Sequence, residues 1–427
     1  MSTPVESSSS SRARIWVALA ALVVCCAYLA AEAYMLDSDL GFPLDDSWIH
    51  LQFARNLATG HGLSYNAGEL VTGSTAPLWT ALLSLLFYLP GNVVAWTKLL
   101  GIALHLAAMD ATWRLGRELG LGRGLATFAA CLTLGTTWLA WSALSGMEVP
   151  LFMLLALQGM ILHLRERAAA SERSPLSLGV LAVAALARPE GLALLGLAFV
   201  DRLLVFTRDE AGALNWRRPA LRPLLIGLVL AVCALAGPVL VYRWVGGSFL
   251  PTTFAAKSGA LRHYLPNLRY IQLVFGTILF PPQPYMALLA GAGVLSLIER
   301  LGTPRDRGLL PALWLLAVPL VYSTVSPDGG ASLVGNFGRY YFPFFPVLVL
   351  LGVLGLERAA QAVGPWLFAG RLRLPVGALL LGLIAWPTLS SLVLGISRYV
   401  QSVANVHDSD VRIARWLAPR LPPQAVL

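Results

Sequence analysis

Apolar runs of near-span length recur from one end of this chain to the other, separated by short segments that nearly all carry arginine. No other feature narrows the fold so far. A helix needs about 20 apolar residues to cross a bilayer. Backbone in lipid must satisfy its own hydrogen bonds, which leaves helices or a closed barrel. The runs lack the period-two alternation of barrel strands, so the chain reads as an all-α polytopic membrane protein. Composition agrees: 12% of the 427 residues are charged, against about a quarter in soluble domains. The net charge of +9 does not point to nucleic acid, because the arginines sit between runs as the positive-inside rule expects. Cys25, Cys26, Cys131 and Cys233 lie within apolar runs without metal-ligand spacing and read as small core residues.

Arginine punctuation sets the expected topology. Residues 1–14, MSTPVESSSSSRAR, read as a disordered cytoplasmic tail, and 15–35 as a retained signal anchor. Arg12 and Arg14 put the N-terminus inside and 37–93 outside. Further spans are expected near 94–112, 125–144, 149–164, 224–242, 286–297, 309–325, 342–356 and 374–394. Between them, 176–206 is interrupted by ARPEG and reads as a hairpin of two short helices entering from the inside. The total is about 11 transmembrane helices within a membrane domain over 15–395, with 396–427 as an outer C-terminal segment. That segment reads as a helix, a turn and the start of a strand, too little to bury a core, as expected of a truncated or lost outer domain. Against arginine-bearing inner loops, the basic residues on the outer face stand out: Arg55, Arg243, Lys257, Arg262, Arg269 and Arg339.

The first outer loop, 37–93, contains FPLDDSWIHLQFARNLATGHGLSYNAGE at 42–69. Asp45 or Asp46 can cap a helix with Trp48, Leu51, Phe53 and Leu57 on its apolar side, an interfacial helix in type. The run GSTAPLWTALLSLLFYL reads as a second interfacial helix, of marginal length for a span. Capping accounts for one aspartate; two adjacent carboxylates beside a membrane suggest chemistry or cation binding. Glu148, in SALSGMEVP, is a second acidic position on the same face. It can divide acid and base roles with the aspartates or share a cation with them. Arg188 and Glu190, in ARPEG, sit at membrane depth, where charges face a cavity or a partner. Their plainer reading is a structural pair beside Pro189; the functional one is phosphate binding by Arg188, oriented by Glu190. Lys257 and Arg339 are further cations suited to a phosphate, or to snorkelling and lipid headgroups. Tyr340 and Tyr341 beside Arg339 read as interface anchors. His50 and His61 read as solvated loop histidines. No cofactor follows from these residues, and Asp45, Asp46 and Glu148 leave a divalent cation (Mg, Mn or Ca) open.

The run DDSWIHLQFARNLATGHGLSYNAGE followed by GSTAPLWT resembles the first outer loop of the GT-C superfamily of polytopic glycosyltransferases. The branch it is most similar to comprises the polyprenyl-phosphate-sugar-dependent enzymes related to mycobacterial cell-wall arabinofuranosyltransferases. SGMEVPLF, ARPEG, FLPTTFAAK and GRYYFPFFP stand in the order expected for that branch. The resemblance implies a GT-C-like bundle and a catalytic carboxylate at Asp45, with Asp46 as the alternate. It also implies an inverting transfer of a sugar from a polyprenyl-phosphate donor to a glycan or lipid acceptor of the cell envelope. Arg188, Lys257 and Arg339 would meet the leaving phosphate, at the outer face of a bacterial plasma membrane. The alternative is a transporter or flippase of lipid-linked sugars, a class that often shows inverted repeats; none is visible here.

Overall fold

The computed structural model describes residues 4–168, 175–249, 284–325, 341–367 and 373–422. Its first helix, α1 (Pro4–Met35), begins inside the tail expected to be disordered; Arg14 on it pairs with Asp110 of α4 (Val93–Glu118). Between α1 and α4 lie α2 (Asp46–Ala58) and α3 (Pro77–Leu86), which pack on each other. At about 1.5 Å per residue, the 10 residues of α3 are too short to span. Asn56 holds the loop between them by donating Nδ2 to the Ser64 and Tyr65 carbonyls at 2.9 and 2.8 Å.

Where one span was expected at 125–144, the chain forms two helices, α5 (Arg123–Leu134) and α6 (Thr137–Leu144). The break has a local cause. The Thr136 amide and hydroxyl both donate to the Thr133 carbonyl, and such short-range bonds compete with the helix. The freed Gly135 carbonyl is taken by the Ser391 hydroxyl at 2.8 Å. Next come α7 (Val149–Ala168), α8 (Leu176–Ala187) and α9 (Glu190–Leu203). The interrupted run is a hairpin of α8 and α9: Arg202 near the end of α9 pairs with Glu166 of α7 and meets Ser177 at the start of α8. The hairpin turns at Arg188, whose extended backbone (φ −153°, ψ 143°) is the conformation imposed on a residue before proline.

A short β-hairpin, β1 (Phe206–Arg208) paired antiparallel with β2 (Leu214–Trp216), leads to α10 (Leu221–Gly246). Then follow α11 (Pro284–Arg300), α12 (Leu310–Val325), α13 (Phe345–Leu367) and α14 (Arg373–Val406). A π-helical turn at His407–Val411 joins α14 to α15 (Arg412–Leu417). The core is a helix bundle: α4 packs on α1, α5 and α7; α8 packs on α7, α9 and α10; α13 packs on α11 and α5; α14 returns to α1 and α6. At the end of the bundle away from α2, buried Asp201 ties three segments together. It accepts from His163 at 2.6 Å and from the Leu309 amide at 2.6 Å, while its carbonyl takes Arg167 at 2.5 Å.

Among the described residues, five helices are long and apolar enough to cross a membrane: Ser11–Met35, Val93–Glu118, Val149–Ala168, Leu221–Gly246 and Phe342–Ala362. The bent α5–α6 pair makes a sixth if it counts as one span. This is a multi-pass membrane protein. Only Cys25 of the four cysteines is buried; Cys26, Cys131 and Cys233 lie on the outside of the bundle and not in the core, and all four are free. Tyr341 is 3% exposed, so it packs inside against Phe344 and is not the surface anchor expected.

Candidate functional site

The α2 sequence contains its own instructions for docking. Ser47, His50, Leu51 and Ala54 recur at helical spacing and are buried. Ser47 Oγ donates to the Ser145 carbonyl at 2.5 Å, and Trp79 of α3 donates Nε1 to the Gly146 carbonyl at 3.0 Å. Both helices of the first loop are thus fastened to the turn 145–148. Gly146 makes that turn possible: its φ is +75°, and a Cβ there would stand 2.7 Å from the Phe42 ring.

The turn delivers Glu148 to Arg188. The guanidinium Nη1 donates to Glu148 Oε1 at 2.5 Å; Nε and Nη2 donate to Glu190 Oε1 at 3.1 and 2.6 Å. Glu148 and Arg188 are buried, and Glu190 partly so. His50 Nε2 stands 3.5 Å from Glu148 Oε2. Burial alone raises the Glu148 pKa, but the Arg188 charge and His50 outweigh it and lower the pKa to about 2. Glu148 is therefore a fixed anion. Among the described residues, Glu148 Oε2 and His50 Nδ1 are buried polar atoms with no hydrogen-bond partner.

Of the residues singled out from sequence, Glu148, Arg188 and Glu190 meet directly. Asp45 and Asp46 sit at the start of α2, on the helix that carries His50 to Glu148. Asp45 is exposed and Asp46 half-buried. Asp45 is the N-cap: its Oδ1 accepts the Asp46 amide at 2.8 Å. Asp46 lies one turn before His50. Arg188 already meets two carboxylates, so it presents no unshared cation. Lys257 and Arg339 lie outside the described residues. Among the described residues, no three acidic, histidine or cysteine side chains converge as metal ligands.

His50 is the residue that sequence reasoning passed over. It is 9% exposed, not solvated; its signal was its place four residues after Asp46 and beside Leu51 on the apolar face. His61 is exposed, and its ring Nδ1 meets the Thr59 hydroxyl at 2.9 Å within its own loop.

This bundle, with the α2–α3 pair between α1 and α4 and a buried arginine–carboxylate cluster beside α2, shares its fold with solved membrane-protein structures. Two solved structures show the likeness. ArnT from Cupriavidus metallidurans bound to undecaprenyl phosphate aligns with a TM-score of 0.62 at 16% identity, over 96% of this chain and 82% of that one. The apo oligosaccharyltransferase of Archaeoglobus fulgidus aligns with a TM-score of 0.51 at 12% identity, over 90% of this chain and 56% of that one. At these identities the likeness is one of fold. No protein-family model matches the sequence, and no curated protein matches it at a significant level.

Proposed function

We propose that this protein is a membrane glycosyltransferase that moves a sugar from a polyprenyl-phosphate donor to an acceptor of the cell envelope. The observation that carries the reading is the junction of α2 with the Glu148–Arg188–Glu190 cluster within a fold shared with ArnT. That protein's structure contains undecaprenyl phosphate, which supports a lipid-phosphate donor here. The proposed setting is a bacterial plasma membrane with about 11 spans and the N-terminus inside. In it, α2 and α3 lie at the outer interface, facing the site.

In this reading Asp45 is the base. A base must reach the acceptor, and Asp45 is exposed, with Oδ1 alone engaged among the described residues. Glu148 is buried and committed to Arg188, so it organises and does not take the proton. Asp45 accepts the proton of the acceptor hydroxyl as that oxygen attacks the anomeric carbon, and the polyprenyl phosphate leaves with the bonding pair. One displacement inverts the anomeric configuration. Base assistance of this kind is worth roughly 10²–10⁴ in rate. Because Arg188 is shared between two carboxylates, the growing phosphate charge falls mainly to Lys257 and Arg339, the cations assigned from sequence.

The test incubates the purified protein with radiolabelled polyprenyl-phosphate sugars. Release of polyprenyl phosphate supports transfer; redistribution across vesicles without cleavage identifies a flippase. Asp45→Asn should lower turnover by roughly 10²–10⁴. Full turnover in that variant, with loss in Asp46→Asn, would move the base to the neighbouring residue.

A further inference from the structure

We propose that Lys98, Glu32 and Tyr399 are positioning residues for this site: one buried network sets the backbone of both acid-bearing segments. Its catalytic consequence rests on the functional reading above; the structural claim does not. The three residues come from α4, α1 and α14, and they are 2%, 0% and 0% exposed. Lys98 Nζ donates to Glu32 Oε2 at 2.9 Å and to the Tyr399 hydroxyl at 2.7 Å; that hydroxyl donates to the same Glu32 oxygen at 2.6 Å.

Among the described residues, two side-chain bonds leave the triad, and both involve backbone that leads into the site. The Gly41 amide donates to Glu32 Oε1 at 2.9 Å, four residues before Asp45. Lys98 Nζ donates to the Leu144 carbonyl at 3.3 Å, four residues before Glu148. Packing agrees. The Phe42 ring lies 5.4 Å from Lys98 Nζ and also covers Gly146. One turn after Lys98, a Cβ on Gly101 would stand 2.0 Å from the Ala143 carbonyl oxygen, so α4 runs against the very backbone that delivers Leu144.

Stability alone does not explain the triad. Replacing a buried ion pair by apolar groups of equal volume is often neutral or stabilising. A satisfied buried network supplies direction: here each charge is fixed where it holds one peptide group. Loss of the network should let the segments 41–50 and 144–148 shift relative to each other, and a 1 Å misplacement can cost about a hundredfold in rate.

The test uses the full chain in detergent with Glu32→Gln and the milder Tyr399→Phe, which leaves the charges paired. Amide exchange is read on peptides covering 40–50 and 142–149, with 176–187 as control. Exchange in both segments should quicken about tenfold or more in Glu32→Gln while the control stays unchanged. Native-like exchange in either segment, or equal quickening of the control, overturns the proposal. In Tyr399→Phe the kcat for transfer should fall with donor KM and thermal midpoint unchanged. A native kcat in both variants overturns the catalytic role. A native chain that transfers no sugar removes the functional reading, and the exchange result still decides the network.

Discussion

Arg188 and Glu148 are 40 residues apart in sequence, and their side chains meet at 2.5 Å inside the bundle. The contact joins the turn before α7 to the break between α8 and α9. It is the reason neither charge can be treated as an independent ligand. Glu148 is held ionised by Arg188, and Arg188 is shared between Glu148 and Glu190.

Breaking that pair from one side should be costly. Arg188→Met strands a buried carboxylate, a change worth about 3–5 kcal/mol, and the thermal midpoint in detergent should fall accordingly. Adding Glu148→Gln removes the more buried of the two carboxylates that Arg188 served and should recover part of the loss while transfer stays low. A double variant no more stable than the single one would show that the pair is not what the bundle depends on.

The same pair fixes a pH dependence. The Glu148 pKa is lowered from 4.5 to about 2 in the folded chain, so the unfolded chain binds more protons between those values. The stabilisation it provides is complete above the unfolded value and is lost as pH falls through the folded one. Thermal midpoints of the native protein should therefore decline below about pH 4.5 more steeply than those of Glu148→Gln. Parallel profiles would remove the assignment.

Asp39 makes a clasp. Its Oδ2 accepts from His407 at 3.2 Å in the π-helical turn and from Arg415 of α15 at 3.0 Å. Burial is the largest single influence and raises the Asp39 pKa, but the bonds from Arg415, His407 and the Leu40 amide together with the Arg415 charge outweigh it and lower the pKa overall. The clasp should thus hold at neutral pH and release in acid. The groups are partly exposed, so Asp39→Asn should cost under about 1 kcal/mol yet speed amide exchange in 407–417. Unchanged exchange there would mean that α15 is held by other contacts.

Gly146 tests the turn itself. Gly146→Ala imposes a left-handed residue, at about 1–2 kcal/mol, and drives a methyl towards Phe42. Transfer should fall more than the change in thermal midpoint explains, because Glu148 follows two residues later. An active, equally stable variant would show that the turn tolerates movement.

Much of this architecture was legible in the residues because lipid leaves the backbone few choices. Runs of apolar residues had to be helices, and proline after Arg188 had to end α8. Asp45, Asp46, Glu148, Arg188 and Glu190 stood out because charge is rare in such surroundings. The split of 125–144 into α5 and α6 was not legible: it arises from Thr133 and Thr136 bonding locally, with Ser391 of a distant helix taking the freed carbonyl of Gly135. Nor was the fate of single polar groups. His50 faces Glu148, Arg188 is shared by two carboxylates, and Lys98 meets Glu32 and Tyr399 only because particular helices are neighbours. Hydrophobic periodicity says which face of a helix is buried; the identity of the helix it is buried against, and so every long-range hydrogen bond, is decided by packing in three dimensions.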